Sequence, residues 1–215
     1  MLGRELHHRV RNMMSMVQAI VRIAATTSTD SAAFIESIES RVHAMARTHE
    51  FFCEGADGEV DVGVLLRGEL LPFERDNAIG IEGPPVNVRE PRASALGLAA
   101  HELTVNAVKY GCLSTAAGRL SVSWEVRDAG NQLHLIWHEE CDSPVVTSGR
   151  SGFGTLLLDQ LLADQLLADQ LLADQLLADQ LLADQLKVSR TWHATGLLAT
   201  ITIDLRLPPS ADRMD

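Results

Sequence analysis

Residues 101–111, His-Glu-Leu-Thr-Val-Asn-Ala-Val-Lys-Tyr-Gly, form the stretch that decides the fold, and an alanine-rich segment from Ala93 leads into it. Apolar residues recur at three- and four-residue spacings through both segments: Leu96, Ala99, Ala100, Leu103 and Ala107. This spacing is typical of one face of a helix. We therefore predict a long helix whose apolar face packs on a sheet.

A second face of this helix is polar. Glu102, Asn106 and Lys109 lie four and three residues apart, so they share one ridge over two turns. A carboxylate, an amide oxygen and an ammonium group suit a divalent metal ion and the phosphates that it carries. An ordinary surface ridge would show the same pattern, and from these three residues alone it is the interpretation that we favour.

The composition limits the classes of function. The chain has 18 basic and 29 acidic residues and a net charge of −11, which argues against a nucleic-acid partner. Its three cysteines, Cys53, Cys112 and Cys141, share no metal-ligand spacing, which favours reduced thiols in a cytoplasmic protein. No apolar run reaches the length of a membrane span, so we expect no membrane segment.

Four motifs together resemble the HWE class of sensor histidine kinases, and they occur in the order of that family. They are Glu5-Leu6-His7-His8-Arg9-Val10-Arg11-Asn12, the N box at His101–Gly111, Trp137-His138-Glu139 and Gly152-Phe153-Gly154-Thr155. The class is named for a histidine in the N box and for a Trp-x-Glu motif. The resemblance covers nearly the whole chain and implies an α+β fold, in which a helical hairpin precedes an α/β-sandwich ATP-binding domain of the histidine-kinase (GHKL) type.

The expected domains are 1–56 and 57–215. The first is predicted as two helices with a polar break at 26–31. Two helices cannot bury both apolar stripes alone, so we expect a homodimer through residues 1–56 that forms a four-helix bundle. The stripes are Leu6, Val10, Met13, Met14, Val17, Ile20, Val21 and Ala24, then Phe34, Ile35, Ile38, Val42, Met45, Ala46 and His49.

Alternating apolar residues predict the strands of the second domain. A strand or a helix start is expected at 60–66, and two strands flank the Gly-Pro turn within 79–88. Residues 120–126 and 132–139 are predicted as a hairpin, and 198–205 as the final strand.

For the hairpin domain, the resemblance implies that His8 is the phosphoacceptor. Glu5 would orient its ring, and Asn12 would position a water for the reverse dephosphorylation. A neutral imidazole is a good nucleophile near neutral pH, which suits this role.

For the second domain, the resemblance implies ATP and Mg²⁺ as cofactors. Asn106 would bind the magnesium ion, Lys109 would contact phosphate, and Tyr110 would line the same nucleotide site. Glu139 would accept a hydrogen bond from the adenine amino group; we favour this role over the alternative, a solvated carboxylate at a strand end. Glu102 would be a catalytic carboxylate, as in gyrase-like ATPases, where the equivalent group activates water.

Gly152, Gly154 and Thr155 would belong to a mobile lid whose backbone amides face the phosphates. The chain departs from the family just before this lid. Relatives follow Trp-x-Glu with a Gly-Gly-Pro type of turn, whereas residues 140–144 here are Glu-Cys-Asp-Ser-Pro. Glycine allows close approach of backbone and ligand, so its loss predicts an altered turn or a changed nucleotide affinity.

A pentapeptide, Leu-Leu-Ala-Asp-Gln, is repeated five times from Leu161 to Gln185, after a near-copy at 156–160. We predict a helix over 156–187, since no Gly or Pro interrupts good helix formers. Four copies exceed the family length and would lengthen the helix by about 30 Å at ~1.5 Å per residue. Leucines that wind around this helix favour higher assembly between chains, or packing on the neighbouring domain; an exposed helix without a role is the alternative.

The function implied by the resemblance is that of an ATP-dependent histidine kinase core in a two-component system. It would phosphorylate itself on His8 and pass the phosphoryl group to an aspartate in the receiver domain of a response regulator. Two alternatives remain: a dimeric scaffold with weakened catalysis, and a GHKL-type ATPase without phosphotransfer.

Overall fold

The computed structural model describes residues 28–54, 59–89, 92–142 and 186–206, together with helical positions between Val10 and Ala25. The mixture of helices and one larger sheet confirms the α+β class. The elements are α1 (Ser31–Glu54), β1 (Glu59–Asp61), α2 (Val62–Leu70), β2 (Ile79–Glu82), β3 (Asn87–Arg89), α3 (Arg92–Lys109), β4 (Arg119–Arg127), β5 (Gln132–Glu140), β6 (Lys187–His193) and β7 (Gly196–Asp204).

The main sheet has five strands in the order β2-β4-β5-β7-β6. The predicted hairpin is confirmed, because β4 and β5 pair antiparallel with Trp124 opposite Leu135. Residues 79–88 contain the two expected strands, but these do not pair with each other. Instead β2 lies parallel to β4, and β3 pairs with β1.

Helix α3 is the centre of the core. Its predicted apolar face is confirmed, since Leu96, Ala99, Ala100, Leu103 and Ala107 are all buried. The inner face of β5, which carries Leu133, Leu135 and Trp137, is buried as well. Polar residues of α3 such as His101 and Glu102 are also buried, because α1 and α2 pack on the helix too.

Helix α1 runs antiparallel to α3. It begins after Asp30, whose carboxylate accepts a hydrogen bond from the Ala33 amide at 2.9 Å. Thr48 lies against Gly97 near one end of the contact, where a Cβ atom on the glycine would come within 2.3 Å of the threonine hydroxyl. Glu36 meets Lys109 near the other end.

The buried face of α1 includes part of the predicted apolar stripe, since Ile38 and Met45 pack against the core. Ile35 is 53% exposed, and Ala46 and His49 are exposed too, whereas Arg41 and Thr48 are buried. Polar groups of α1 thus contact α3 beside the apolar ones. The predicted four-helix bundle would need a second copy of the chain and stays a prediction.

The predicted glycine motif 152–155 and the repeats 161–185 lie outside the described residues. The helix predicted for 156–187 does not extend to its expected end, because Leu186 lies outside any helix and Lys187 begins β6. No helix among the residues that the structure describes is long and apolar enough to cross a membrane.

Candidate functional site

The polar ridge of α3 changes from buried to exposed along its length. Glu102 is 1% exposed, Asn106 is half-buried, and Tyr110, just after the helix, is 75% exposed. Helix α1 contacts this ridge at both ends, through Arg41 at Glu102 and through Glu36 at Lys109. Because the exposure of the side chains increases along the ridge, a ligand can reach its C-terminal end.

Glu102 forms a buried ion pair with Arg41 of α1. The Arg41 Nη2 donates to Glu102 Oε2 at 2.8 Å, and Arg41 Nε lies 2.6 Å from Oε1. Burial raises the pKa of the Glu102 carboxyl, and the positive charge of Arg41 opposes that rise. Because both oxygens face Arg41 in the interior, this carboxylate is not placed to activate a water molecule.

Lys109 has a much weaker partner. Its Nζ lies 3.7 Å from Glu36 Oε1, and the two side chains are 53% and 77% exposed. Exposed pairs of this kind contribute little to stability, about 0–1 kcal/mol. A phosphate group can therefore replace the Glu36 carboxylate beside Lys109 at small cost.

His101 holds the three helices together. Its Nδ1 donates to Glu69 Oε2 of α2 at 3.1 Å, because a carboxylate only accepts; in the neutral ring, Nε2 then accepts from the Ser40 hydroxyl of α1 at 2.7 Å. Arg47 of α1 donates to the other Glu69 oxygen at 2.7 Å. Burial acts to raise the pKa of Glu69, but the hydrogen bonds from His101 and Arg47 outweigh it and lower that pKa.

Glu139 lies on the inner face of β5, and the residue is 3% exposed. Oε1 accepts from the Trp137 indole nitrogen at 3.0 Å, and Oε2 accepts from the Cys112 amide at 3.1 Å. Burial raises the pKa of Glu139 against these two hydrogen bonds. The carboxylate that was expected to contact adenine thus has protein partners on both oxygens.

The structure brings only part of the predicted site together. Glu102, Asn106 and Lys109 lie on one helix, with Tyr110 just beyond it and Glu139 beneath its C-terminal end. The remaining predicted residues lie outside the described residues: Glu5, His8, Asn12, Gly152, Gly154 and Thr155.

The sequence alone does not identify Arg41 and Glu69 as partners of this helix. Glu69 does have a signal in the sequence, because it is the only acidic residue in the mostly apolar segment 64–71. Arg41 carries no such signal.

The chain is similar in sequence to known histidine kinases. Residues 5–85 match the family model for HWE histidine kinases. The blue-light-activated histidine kinase of Rhizobium johnstonii is 34% identical over 154 residues, which cover 72% of this chain and 44% of that protein. Blue-light-activated histidine kinase 1 of Erythrobacter litoralis is 30% identical over 215 residues, which cover 96% of this chain and 54% of that protein. The chain therefore spans about half the length of these relatives.

Solved structures show the same fold. A blue-light activated histidine kinase of Erythrobacter litoralis matches with a TM-score of 0.59 and 18% identity, over 94% of this chain and 58% of that chain. Its separate histidine kinase domain matches with a TM-score of 0.53 and 14% identity, over 88% of this chain and 94% of that chain. At these identities the likeness concerns the arrangement of helices and strands.

Proposed function

Since this chain is a relative of the HWE histidine kinases, we propose that it is the ATP-dependent core of a protein histidine kinase in a two-component system. The observation that carries this proposal is the open C-terminal end of α3. There Asn106 is half-buried, and Lys109 and Tyr110 are exposed, whereas residues 93–104 of α3 are buried.

The residues at this end fit a nucleotide with its magnesium ion. An amide oxygen such as that of Asn106 is a ligand type that Mg²⁺ accepts, and the Lys109 ammonium suits a phosphate. Bound magnesium would neutralise charge on the phosphates. Tyr110 would line the site, and Gly152, Gly154 and Thr155 would supply backbone donors to the phosphates.

The proposed reaction is phosphoryl transfer to His8. A nitrogen of the imidazole attacks the γ-phosphorus of ATP, a nitrogen–phosphorus bond forms, and the bond from that phosphorus to the bridging oxygen of ADP breaks. Glu5 would orient the ring, and Asn12 would place water for dephosphorylation. The phosphoryl group would then pass to an aspartate of a receiver domain, and residues 1–56 would form the homodimer.

Glu102 favours the kinase over the ATPase alternative. An ATPase of the gyrase type needs a carboxylate that activates water, and the Glu102 carboxylate is buried against Arg41. Charge neutralisation and positioning by Asn106 and Lys109 are sufficient for transfer to an imidazole.

Calorimetric titration with ATP tests the proposed site. The intact chain should bind ATP only in the presence of Mg²⁺, and Asn106→Ala should weaken this binding by about ten-fold or more, as expected for one lost ligand. Asn131→Ala, in the turn between β4 and β5, is the matched control and should bind like the parent chain. Equal affinity in Asn106→Ala and the parent would refute the site, and magnesium-independent binding would refute the role of Asn106.

A further inference from the structure

Two cysteines, Cys112 and Cys141, lie near the open end of α3, and the proposed function gives neither of them a role. Both are free thiols. We propose that they form a reversible disulfide bond, which fastens the turn after α3 to the end of β5. The formation of this bond requires no nucleotide and is independent of the proposed function.

Cys141 continues the inner face of β5. The buried residues of this strand alternate along it and end with Trp137 and Glu139. Cys141 is the next residue in the alternation, is half-buried and packs against the core. Its amide donates to the Thr195 carbonyl at 2.6 Å, which holds the chain against the sheet at this point.

Cys112 lies on the same side of the sheet. It is buried in the short turn after α3, and its amide donates to Glu139 Oε2 at 3.1 Å. Glu139 precedes Cys141 by two residues on the same face, which is about 7 Å along the strand at ~3.4 Å per residue. Cys112 therefore lies over the end of β5, where the second thiol is found.

The register of the neighbouring strand brings the two backbones close as well. Strand β4 begins at Arg119, which pairs with Glu140, so the preceding Gly118 lies beside Cys141. Gly118 contacts Cys112 so closely that a Cβ atom on the glycine would overlap the Cys112 carbonyl oxygen. Neighbouring strands are about 5 Å apart, and a disulfide joins Cα atoms about 4.4–6.8 Å apart, so this placement suits the bond.

The electrostatic environment of the two thiols agrees with this placement. Burial raises the pKa of the Cys112 thiol, and the charges of Glu139 and Cys141 raise it further. Burial and the charge of Glu139 also raise the pKa of Cys141. Neither thiolate is stabilised, and a reduced pair without such stabilisation favours the disulfide at equilibrium. A raised pKa slows the reaction only in part, because the nucleophilicity of a thiolate rises with its pKa.

The oxidant in the proposed reaction is a small-molecule disulfide such as oxidised glutathione. The thiolate of Cys141, the more exposed cysteine, attacks one sulfur of this disulfide, forms a mixed disulfide and releases one glutathione thiolate. The thiolate of Cys112 then attacks the Cys141 sulfur, forms the bond within the chain and releases the second glutathione. The two cysteine protons pass through solvent to the released thiolates, and the two electrons reduce the oxidant. Excess reduced thiol reverses both steps.

The bond would restrict the end of α3. The Gly111 amide donates to the carbonyls of Asn106 and Ala107, at 3.0 Å and 3.1 Å, and so closes the last turn of the helix. Cys112 follows Gly111 directly. A covalent bond from Cys112 to the end of β5 therefore limits how far this turn can open.

Mass spectrometry of the folded chain in glutathione buffers tests the proposal. The chain is equilibrated with mixtures of reduced and oxidised glutathione, alkylated, and digested without reduction. We expect a pair of peptides joined through Cys112 and Cys141, and its loss when excess dithiothreitol is added. Cys53→Ser is the matched control, because it removes the third thiol of the chain and should form the same bond.

Amide hydrogen exchange measures whether the bond fastens the turn. In Cys53→Ser, exchange at residues 111–114 should be about five-fold slower or more in the oxidised chain than in the reduced chain. Reduction should restore the faster exchange. The double variant Cys53→Ser/Cys141→Ser should exchange alike in both buffers.

Three results would overturn the inference. The first is the absence of the bond between Cys112 and Cys141 in oxidised glutathione, or a bond of either cysteine to Cys53 in its place. The second is a bond that forms only in urea, where the chain is unfolded. The third is a bond that leaves amide exchange at residues 111–114 unchanged, since the turn would then not be fastened.

Discussion

At the residue scale, Lys109 is shared between the proposed phosphate site and Glu36 of α1. Replacing Glu36 by Gln removes a carboxylate that competes with phosphate for the same ammonium group. We expect Glu36→Gln to bind Mg-ATP about two- to five-fold more tightly, in line with the small energy of an exposed ion pair. Glu39→Gln, also exposed on α1, controls for the change in net charge. Equal tightening in both variants would show that the contact with Lys109 has no specific effect.

Glu69 makes stability depend on pH in a defined direction. Its pKa is lowered in the folded state by His101 and Arg47, against the effect of burial, so the folded state binds this proton less readily than the unfolded chain does. The stabilisation is therefore present above the ordinary glutamate pKa of about 4.3 and is lost as pH falls through the folded-state value.

Urea unfolding of Glu69→Gln measures this contribution. The parent chain should lose free energy of unfolding more steeply than Glu69→Gln as the pH is lowered from about 5 to about 3, below the ordinary glutamate pKa. Parallel curves for the two proteins would contradict the role of the carboxylate. At neutral pH the variant should be less stable by about 1–3 kcal/mol, because buried donors lose an acceptor.

The sequence determines the environment of Glu139 better than it does that of Glu102. Strict alternation from Leu133 through Trp137 places Glu139 on the buried face of its strand, so its burial follows from the period of two. Glu102 occupies a helical ridge that looks solvent-facing, and its partner Arg41 is distant in the chain. Only the packing of α1 on α3 brings the two together.

At the element scale, the buried pair of Arg41 and Glu102 holds α1 on α3. Removing one partner leaves a charge buried without compensation, which typically costs about 3–5 kcal/mol. We expect Arg41→Met and Glu102→Gln each to destabilise the chain strongly, and the double variant to cost clearly less than the sum of the two. Urea unfolding of the four proteins gives the coupling energy.

The pair of Arg89 and Glu59 is the control for this cycle. It joins β3 to β1 at the surface, where both side chains are substantially exposed. The same substitutions there should cost about 1 kcal/mol or less. A coupling energy for Arg41 and Glu102 as small as that of the surface pair would show that α1 is held by other contacts.

The sequence predicts the helices and strands that have a local signal, such as a periodicity or a turn. It does not predict which of these elements pack or pair with each other. Helix α3 and the hairpin of β4 and β5 follow from periodicity and a turn. The separation of β2 from β3 does not, because each strand pairs with a distant segment. The polar contacts of α1 with α3 do not follow from the sequence for the same reason, since Arg41 and Glu102 are far apart in the chain.

At the scale of the whole molecule, the repeats raise the question of assembly. We predict that the parent chain forms a larger species than a variant that lacks residues 166–185, four of the five copies. A helix with leucine on most sides would expose a large apolar surface to water, and packing against a second chain would bury it. Light scattering at equal concentration measures both masses. Equal numbers of subunits would show that the repeats do not mediate association, and a dimer in the shortened variant would agree with the bundle proposed for residues 1–56.

The central claim is that ATP bound at the end of α3 phosphorylates His8. Incubation of the purified chain with Mg²⁺ and ATP labelled in the γ-phosphate tests it most directly, with His7→Ala as the matched control for His8→Ala. We expect a label that acid removes and base does not, present in the parent and in His7→Ala and absent from His8→Ala. A label that persists in His8→Ala, or no label in either the parent or the chain shortened by residues 166–185, would contradict it.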